Sequence, residues 1–158
     1  GDLSRVQARA DAAKRLLDAL ATARREAQER LAAPVLRRVR PYLKEIFPTS
    51  ELALSETWEI EGLQTANQLE GFEHLSGGAQ EQVGVLVRLG LAEVLAGEDR
   101  LPIVLDDALV NTDADRRRCL LRILDRASRK LQVIVLSCHE ADLDGLGEMK
   151  RYKLDSLR

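Results

Sequence analysis

Two short apolar runs, LPIVL (101–105) and LQVIVLS (131–137), bracket a stretch of helical periodicity, and this pattern restricts the fold more than any other feature of the chain. Continuous apolar runs of this length are expected of strands buried on both faces of a parallel sheet. Between them, 113–130 reads as a helix that turns Leu120, Leu121, Ile123, Leu124 and Ala127 inward. Strand, helix and strand with short joins make α/β architecture. Upstream, ELALSETWEIEGLQ (51–64) alternates apolar and polar residues as one or two hairpin strands do, and a helix is expected from about 77 to 96. MKRYKLD (149–155) reads as a last, more exposed strand.

The first third of the chain follows a different rule. Leu3, Val6, Ala10, Ala13, Leu17 and Leu20 are spaced alternately three and four apart, within one long helix expected over 3–33. A stripe so narrow and Ala-rich, between charged positions, suits a coiled-coil seam better than a helix packed on its own domain. It needs a partner helix, and the sequence contains no second one of the kind. Pro34 and Pro41 are expected to break or kink the helix, with VLRRVRPYLKEIF as a second helical piece ending before Pro48. The organisation expected is a coiled-coil helix and its kinked continuation over 1–47, then an α/β lobe over 48–158.

Composition narrows the partners. The net charge of −2 gives no global basic field for nucleic acid or an acidic membrane, and 3% aromatic residues leave few stacking platforms for single strands. The arginine clusters at 37–40 and 116–118 could meet phosphates but read better as solvated helix faces. No apolar stretch reaches the roughly 18–20 residues of a membrane span. Cys119 and Cys138 form no CxxC pair, which fits a reducing, cytoplasmic setting. The Gly-Asp start, without Met, is expected of an internal piece of a longer chain.

Two stretches carry chemistry. In HLSGGAQEQ (74–82), Ser76 is a good N-cap, and the glycines after it let a ligand approach the backbone at a helix start. Free N–H groups and partial positive charge there suit a phosphate, although a plain Gly-rich turn explains the stretch equally well. The second stretch, LPIVLDDALVNTD, runs a strand into Asp106 and Asp107 at its C-terminal end, where open α/β sheets bind ligands. Paired carboxylates at that edge are costly without a cation. Nucleotide-bound Mg²⁺ takes one or two carboxylates and keeps its waters, and the second acid can orient an attacking water.

The order LSGG, a strand ending in paired acids, NTD, and a strand ending in SCH resembles the C-terminal lobe of an ABC-type ATPase head, over nearly all of residues 50–155. The long helix entering just before it is similar to the SMC and SbcC branch, closest to its YhaN-like bacterial members, and is foreign to transporter ATPases. The resemblance implies a P-loop NTPase fold using ATP and Mg²⁺. It implies that Ser76, Gly77 and Gly78 form the signature motif that reaches the γ-phosphate held by an opposite subunit, with Gln80 just behind positioning that loop. It makes Asp106 the Walker B acid for Mg²⁺ and puts Asp107 in the place of the glutamate that polarises the hydrolytic water. Asn111 and Asp113 fall in the D-loop that couples the two sites of a dimer, and His139 matches the switch histidine.

The chain departs from that pattern at three points. Aspartate at 107 is one methylene shorter than glutamate, about 1.5 Å of reach, so slow hydrolysis or a shifted water is expected. Ala108 stands where many relatives have proline. No GxxxxGK[ST] phosphate loop occurs in the sequence. In the family that loop lies in an N-terminal lobe across the coiled coil, so the chain is expected to be half of an ATPase head and inactive alone. The partners implied are that Walker A lobe, a second head in a homodimer, and DNA with a nuclease or accessory subunit in repair or chromosome maintenance, with no membrane partner. A scaffold with a degenerate head that binds nucleotide but hardly turns it over is the alternative. A transporter subunit is a third reading, which the coiled-coil entry opposes.

Overall fold

A computed structural model describes residues 2–55, 57–97 and 99–153. The long helix α1 (Asp2–Ile46) leads into a three-stranded antiparallel sheet of β1 (Glu51–Leu54), β2 (Ile60–Gln64) and β3 (Leu69–Gly71). Helix α2 (Gly77–Ala96), strand β4 (Pro102–Asp106), helix α3 (Ala114–Ser128) and strand β5 (Gln132–Leu136) follow, with 3-10 turns at Phe72–His74 and Glu140–Leu143. Strands β4 and β5 pair in parallel from Pro102↔Gln132 to Asp106↔Leu136, with α3 as their crossover. Helices α2 and α3 lie where the periodicity puts them, and the five residues of α3 expected inward are all buried. The hairpin over 51–64 is β1 and β2, and β3 extends it by a strand that the alternation does not announce.

The structure corrects three expectations. Helix α1 continues through Pro34 and Pro41 without the break that is one of the two outcomes expected there. An interior proline costs about 3 kcal/mol, but Val35, Val39, Leu43 and Ile46 come round on successive turns and are 7% exposed or less. Burying each is worth about 1.5–3 kcal/mol, so four of them outweigh two prolines. The second correction concerns β4 and β5, which are buried on one face only. Ile103 and Leu105 enter the core, while Val104 is 53% exposed and Ile134 and Leu136 also stand in the open. The apolar runs are those of two-faced burial, and among the described residues nothing covers the second face. Third, residues 149–153 form no strand and pair with none, and 154–155 lie outside the described residues.

The core joins the last turns of α1 to both other helices and both sheets. Gly90 sets the crossing of α1 and α2, since a Cβ there would stand 2.4 Å from Val39 Cγ2. A polar clamp closes the same crossing from outside. The Glu93 carboxylate, 3% exposed, accepts from the Tyr42 hydroxyl and meets Lys130 Nζ at 3.3 Å. Arg126 lies over the Tyr42 ring, 4.7 Å from its centroid, and pairs with Glu45. Lys44 and Arg40 hold Glu51 at 2.9 and 3.0 Å, tying α1 to β1 and keeping that carboxyl below the usual range, the Lys44 hydrogen bond first. The seam positions Val6, Leu17 and Leu20 on the earlier part of α1 are 58–67% exposed.

Candidate functional site

Helix α2 begins as its residues dictate. Ser76 is the N-cap, its Oγ accepting the Ala79 amide at 3.3 Å and its carbonyl the Gln80 amide at 2.9 Å. Gln80 reaches back from the first turn, and its Nε2 donates to the carbonyls of Phe72 and Leu75 at 2.9 and 3.1 Å. That side chain therefore ties the approach segment to the first turn of the helix. A Cβ on Gly77 would meet nothing within 4 Å, so the helix start is open on that side. Gly78 is closed in by contrast: a Cβ there would lie 2.2 Å from the Asn111 carbonyl oxygen. Only glycine lets the 76–78 turn and the 111–113 loop pack backbone to backbone.

The same juxtaposition is held at two further places. Asn111 Nδ2 donates to Glu81 Oε2 at 3.4 Å. Below the surface, Gln82 Nε2 donates to Thr112 Oγ1 at 3.4 Å, with Gln82 1% and Thr112 5% exposed. The sequence reading passed over Gln82 and Thr112. The available signal was a glutamine between Ala79, Val83 and Leu86 on the apolar face of α2, where a polar side chain persists only with a partner.

At the carboxyl end of β4, Asp106 is exposed, and Asp107 has φ +47°, in the left-handed region. The Asp107 amide donates to the Leu136 carbonyl at 2.9 Å, and its Oδ1 accepts the Cys138 amide at 3.2 Å. His139, exposed at the end of β5, follows directly; its amide donates to Ser137 Oγ at 3.0 Å. Asp113 caps α3, its Oδ1 accepting the amides of Asp115 and Arg116 at 3.1 and 3.0 Å. The Arg116 amide is the largest cause holding its carboxyl below the usual range. That carboxylate is engaged by its own helix.

A cleft of about 690 Å³ joins these elements, lined by Gly77, Gln80, Glu81 and Arg88 of α2 together with Asp106 and Asn111. Ser76, Gly78, Asp107, Asp113 and His139 do not line it; Asp107 follows Asp106 at the β4–β5 edge and bonds Cys138, next to His139. No group of three metal-ligating side chains occurs among the described residues. The donor set fits a cation that takes one carboxylate here and its remaining ligands from water and phosphate, as Mg²⁺ does. An open helix start beside that acid fits the phosphate. Among the described residues no helix is long and apolar enough to cross a membrane.

No protein-family model matches the chain. Rv1278 of Mycobacterium tuberculosis is 32% identical over 156 residues, 98% of this chain and 18% of that protein. YhaN of Bacillus subtilis is 38% identical over 69 residues, 43% of this chain and 7% of that protein. The DNA double-strand break repair Rad50 ATPase of Thermococcus kodakarensis is 34% identical over 87 residues, 54% of this chain and 10% of that protein. The chain thus spans less than a fifth of the length of these relatives. Among solved structures, the Smc head domain of Pyrococcus yayanosii, with a coiled coil and joint, superposes with a TM-score of 0.61 at 12% identity, over 90% of this chain and 29% of that one. A structure from work on ATP-driven dimerization and DNA-stimulated activation of SMC ATPases superposes at 0.57 with 15% identity, over 76% of this chain and 78% of that one.

Proposed function

The chain is an SMC/SbcC-like C-terminal head lobe with the base of its coiled coil, and from that premise we propose that it supplies the trans-acting half of a composite ATP site. The observation that carries this reading is the cleft lined by Gly77 at the start of α2 and by Asp106 at the end of β4. Bound Mg²⁺–ATP brings the triphosphate and the cation. Ser76, Gly77 and Gly78 present the start of α2 to the terminal phosphate, and the Gly78–Asn111 contact braces that turn. Asp106 holds the cation through water, and His139 stands on the neighbouring strand end to meet the same phosphate. Asn111, in contact with Gly78 and Glu81, passes the state of one site to the other across a head-to-head dimer.

The phosphate loop comes from a Walker A lobe, and the uncovered apolar face of β4 and β5 supports such a lobe as its neighbour. ATP binding closes two heads and hydrolysis reopens them. Helix α1, clamped to α2 through Tyr42 and Glu93, transmits the movement to the coil, in a DNA-repair or chromosome-maintenance setting like that of the Rad50 relatives. A scaffold with weak turnover remains the second reading, favoured by aspartate rather than glutamate at 107.

The test has two parts. The purified chain is expected to show no ATP turnover; turnover that disappears in Asp106→Asn would refute the composite site. In the full-length protein, Ser76→Arg is expected to abolish ATP-dependent dimerisation, and Asp106→Asn to abolish hydrolysis. A monomeric, nucleotide-indifferent full-length protein sinks the proposal, and dimerisation on ATP without turnover selects the scaffold.

A further inference from the structure

We infer that Asp107 is a positioning residue, whose carboxylate completes the β4–β5 ladder and fixes the backbone that carries His139. This rests on the composite-site reading above but concerns how the acid at 107 is used within it. In a parallel pair, a residue whose amide donates to one carbonyl across the ladder accepts at its own carbonyl from the amide two residues further on. Asp107 makes the first of these bonds, to Leu136 at 2.9 Å, so the Cys138 amide is the donor its carbonyl should receive. The backbone prevents it. With φ at +47° the Asp107 carbonyl turns into the following loop and accepts from Val110 instead, at 3.3 Å. The side chain takes the vacated place, and Oδ1 receives the Cys138 amide at 3.2 Å.

This geometry asks for aspartate in two ways. Among residues with a side chain, Asp and Asn tolerate the left-handed region best. Their acceptor also stands one methylene from the backbone, whereas glutamate adds about 1.5 Å of reach and overshoots a rung adjacent to its own amide. Beyond the rung, residues 137–139 are fastened again, since the His139 amide donates to Ser137 Oγ at 3.0 Å and that hydroxyl donates to the His139 carbonyl at 3.3 Å. The switch histidine therefore sits on a segment pinned from β4 by Asp107 and from within by Ser137. What the rung requires is an acceptor at Oδ1. A negative charge is not needed.

Substitution at 107 separates an acceptor from a base. In the full-length protein, Asp107→Asn keeps the acceptor and is expected to turn over ATP faster than Asp107→Ala. Asp107→Ala is expected to lower kcat by about 10- to 100-fold with little change in KM for ATP, and Asp107→Glu is not expected to exceed wild type. A second measurement is independent of turnover: amide exchange at Cys138 in the purified chain should speed up by roughly ten-fold in Asp107→Ala and stay slow in Asp107→Asn. If Asn is as inactive as Ala while Glu raises turnover, Asp107 is the water-polarising acid and the positioning role is overturned. Equal Cys138 exchange in all variants overturns it as well. A wild-type protein without turnover instead defeats the ATPase reading, and the exchange result still decides the role of Asp107.

Discussion

The two ends of α1 are one helix in two environments. Residues 9–26 are exposed on every side, with Leu17 at 67% and Leu20 at 58%, whereas Val35, Val39 and Leu43 are 2% exposed or less. Both prolines of the helix, Pro34 and Pro41, lie at or beyond the point where burial begins. From Asp2 to Ala33 there is neither proline nor glycine. A helix in water is marginal and depends on residue propensity, so its free part is built from Ala, Leu, Arg and Glu. The seated part tolerates two breakers because tertiary contacts outweigh them.

Leu43→Ala, which empties a fully buried site, is expected to cost about 2–5 kcal/mol in urea unfolding followed by circular dichroism. Leu17→Ala, the same change on the free part, should stay within about 0.5 kcal/mol. Similar losses at the two sites would show that the seam is packed and erase the contrast.

At the α1–α2 crossing, Gly90→Ala drives a methyl to 2.4 Å from Val39 Cγ2, an overpacking expected to cost about 1–3 kcal/mol. Val39→Ala in the same chain should recover part of that loss, which a double-mutant cycle measures. Gly84→Ala serves as the control: its Cβ meets nothing within 4 Å, and helix propensity alone should add about 0.5–1 kcal/mol.

The polar clamp sharpens the comparison through pH. Burial, then the Glu93 hydrogen bond, pushes Tyr42 up to about 12. A raised tyrosine favours the neutral form in the folded state. Its contribution is therefore whole below the ordinary value near 10 and fades as pH rises towards about 12. Tyr42→Phe should cost about 1 kcal/mol at neutral pH and flatten the loss of stability in that alkaline window. An unchanged alkaline unfolding profile would mean that the clamp adds nothing to the seat of α1. Pro41→Ala restores a helix amide on an exposed position and should gain up to about 3 kcal/mol, the cost of an interior proline.

Much of the site was legible because its chemistry is local. A serine and two glycines before a helical run specify a capped, open helix start, and two acids at the end of an apolar run specify charge at a sheet edge. Asp113 shows what motif reading leaves out, because its carboxylate also caps the helix it begins. Gln82 was legible as a polar residue on an apolar helix face, but its partner Thr112 was not, since their pairing joins positions thirty residues apart.

The sequence by itself determined the three helices, the first hairpin, the β4–β5 pair and the chemistry gathered at the ends of α2 and β4, because periodicity, capping and turn residues act over a few residues. Tertiary structure alone decided that α1 continues through two prolines, that the parallel pair is covered on one face, and that the Asp107 carboxylate replaces a backbone carbonyl in the ladder. Each of those outcomes depends on which surfaces meet across the chain, where burial and long-range hydrogen bonds outweigh local preference.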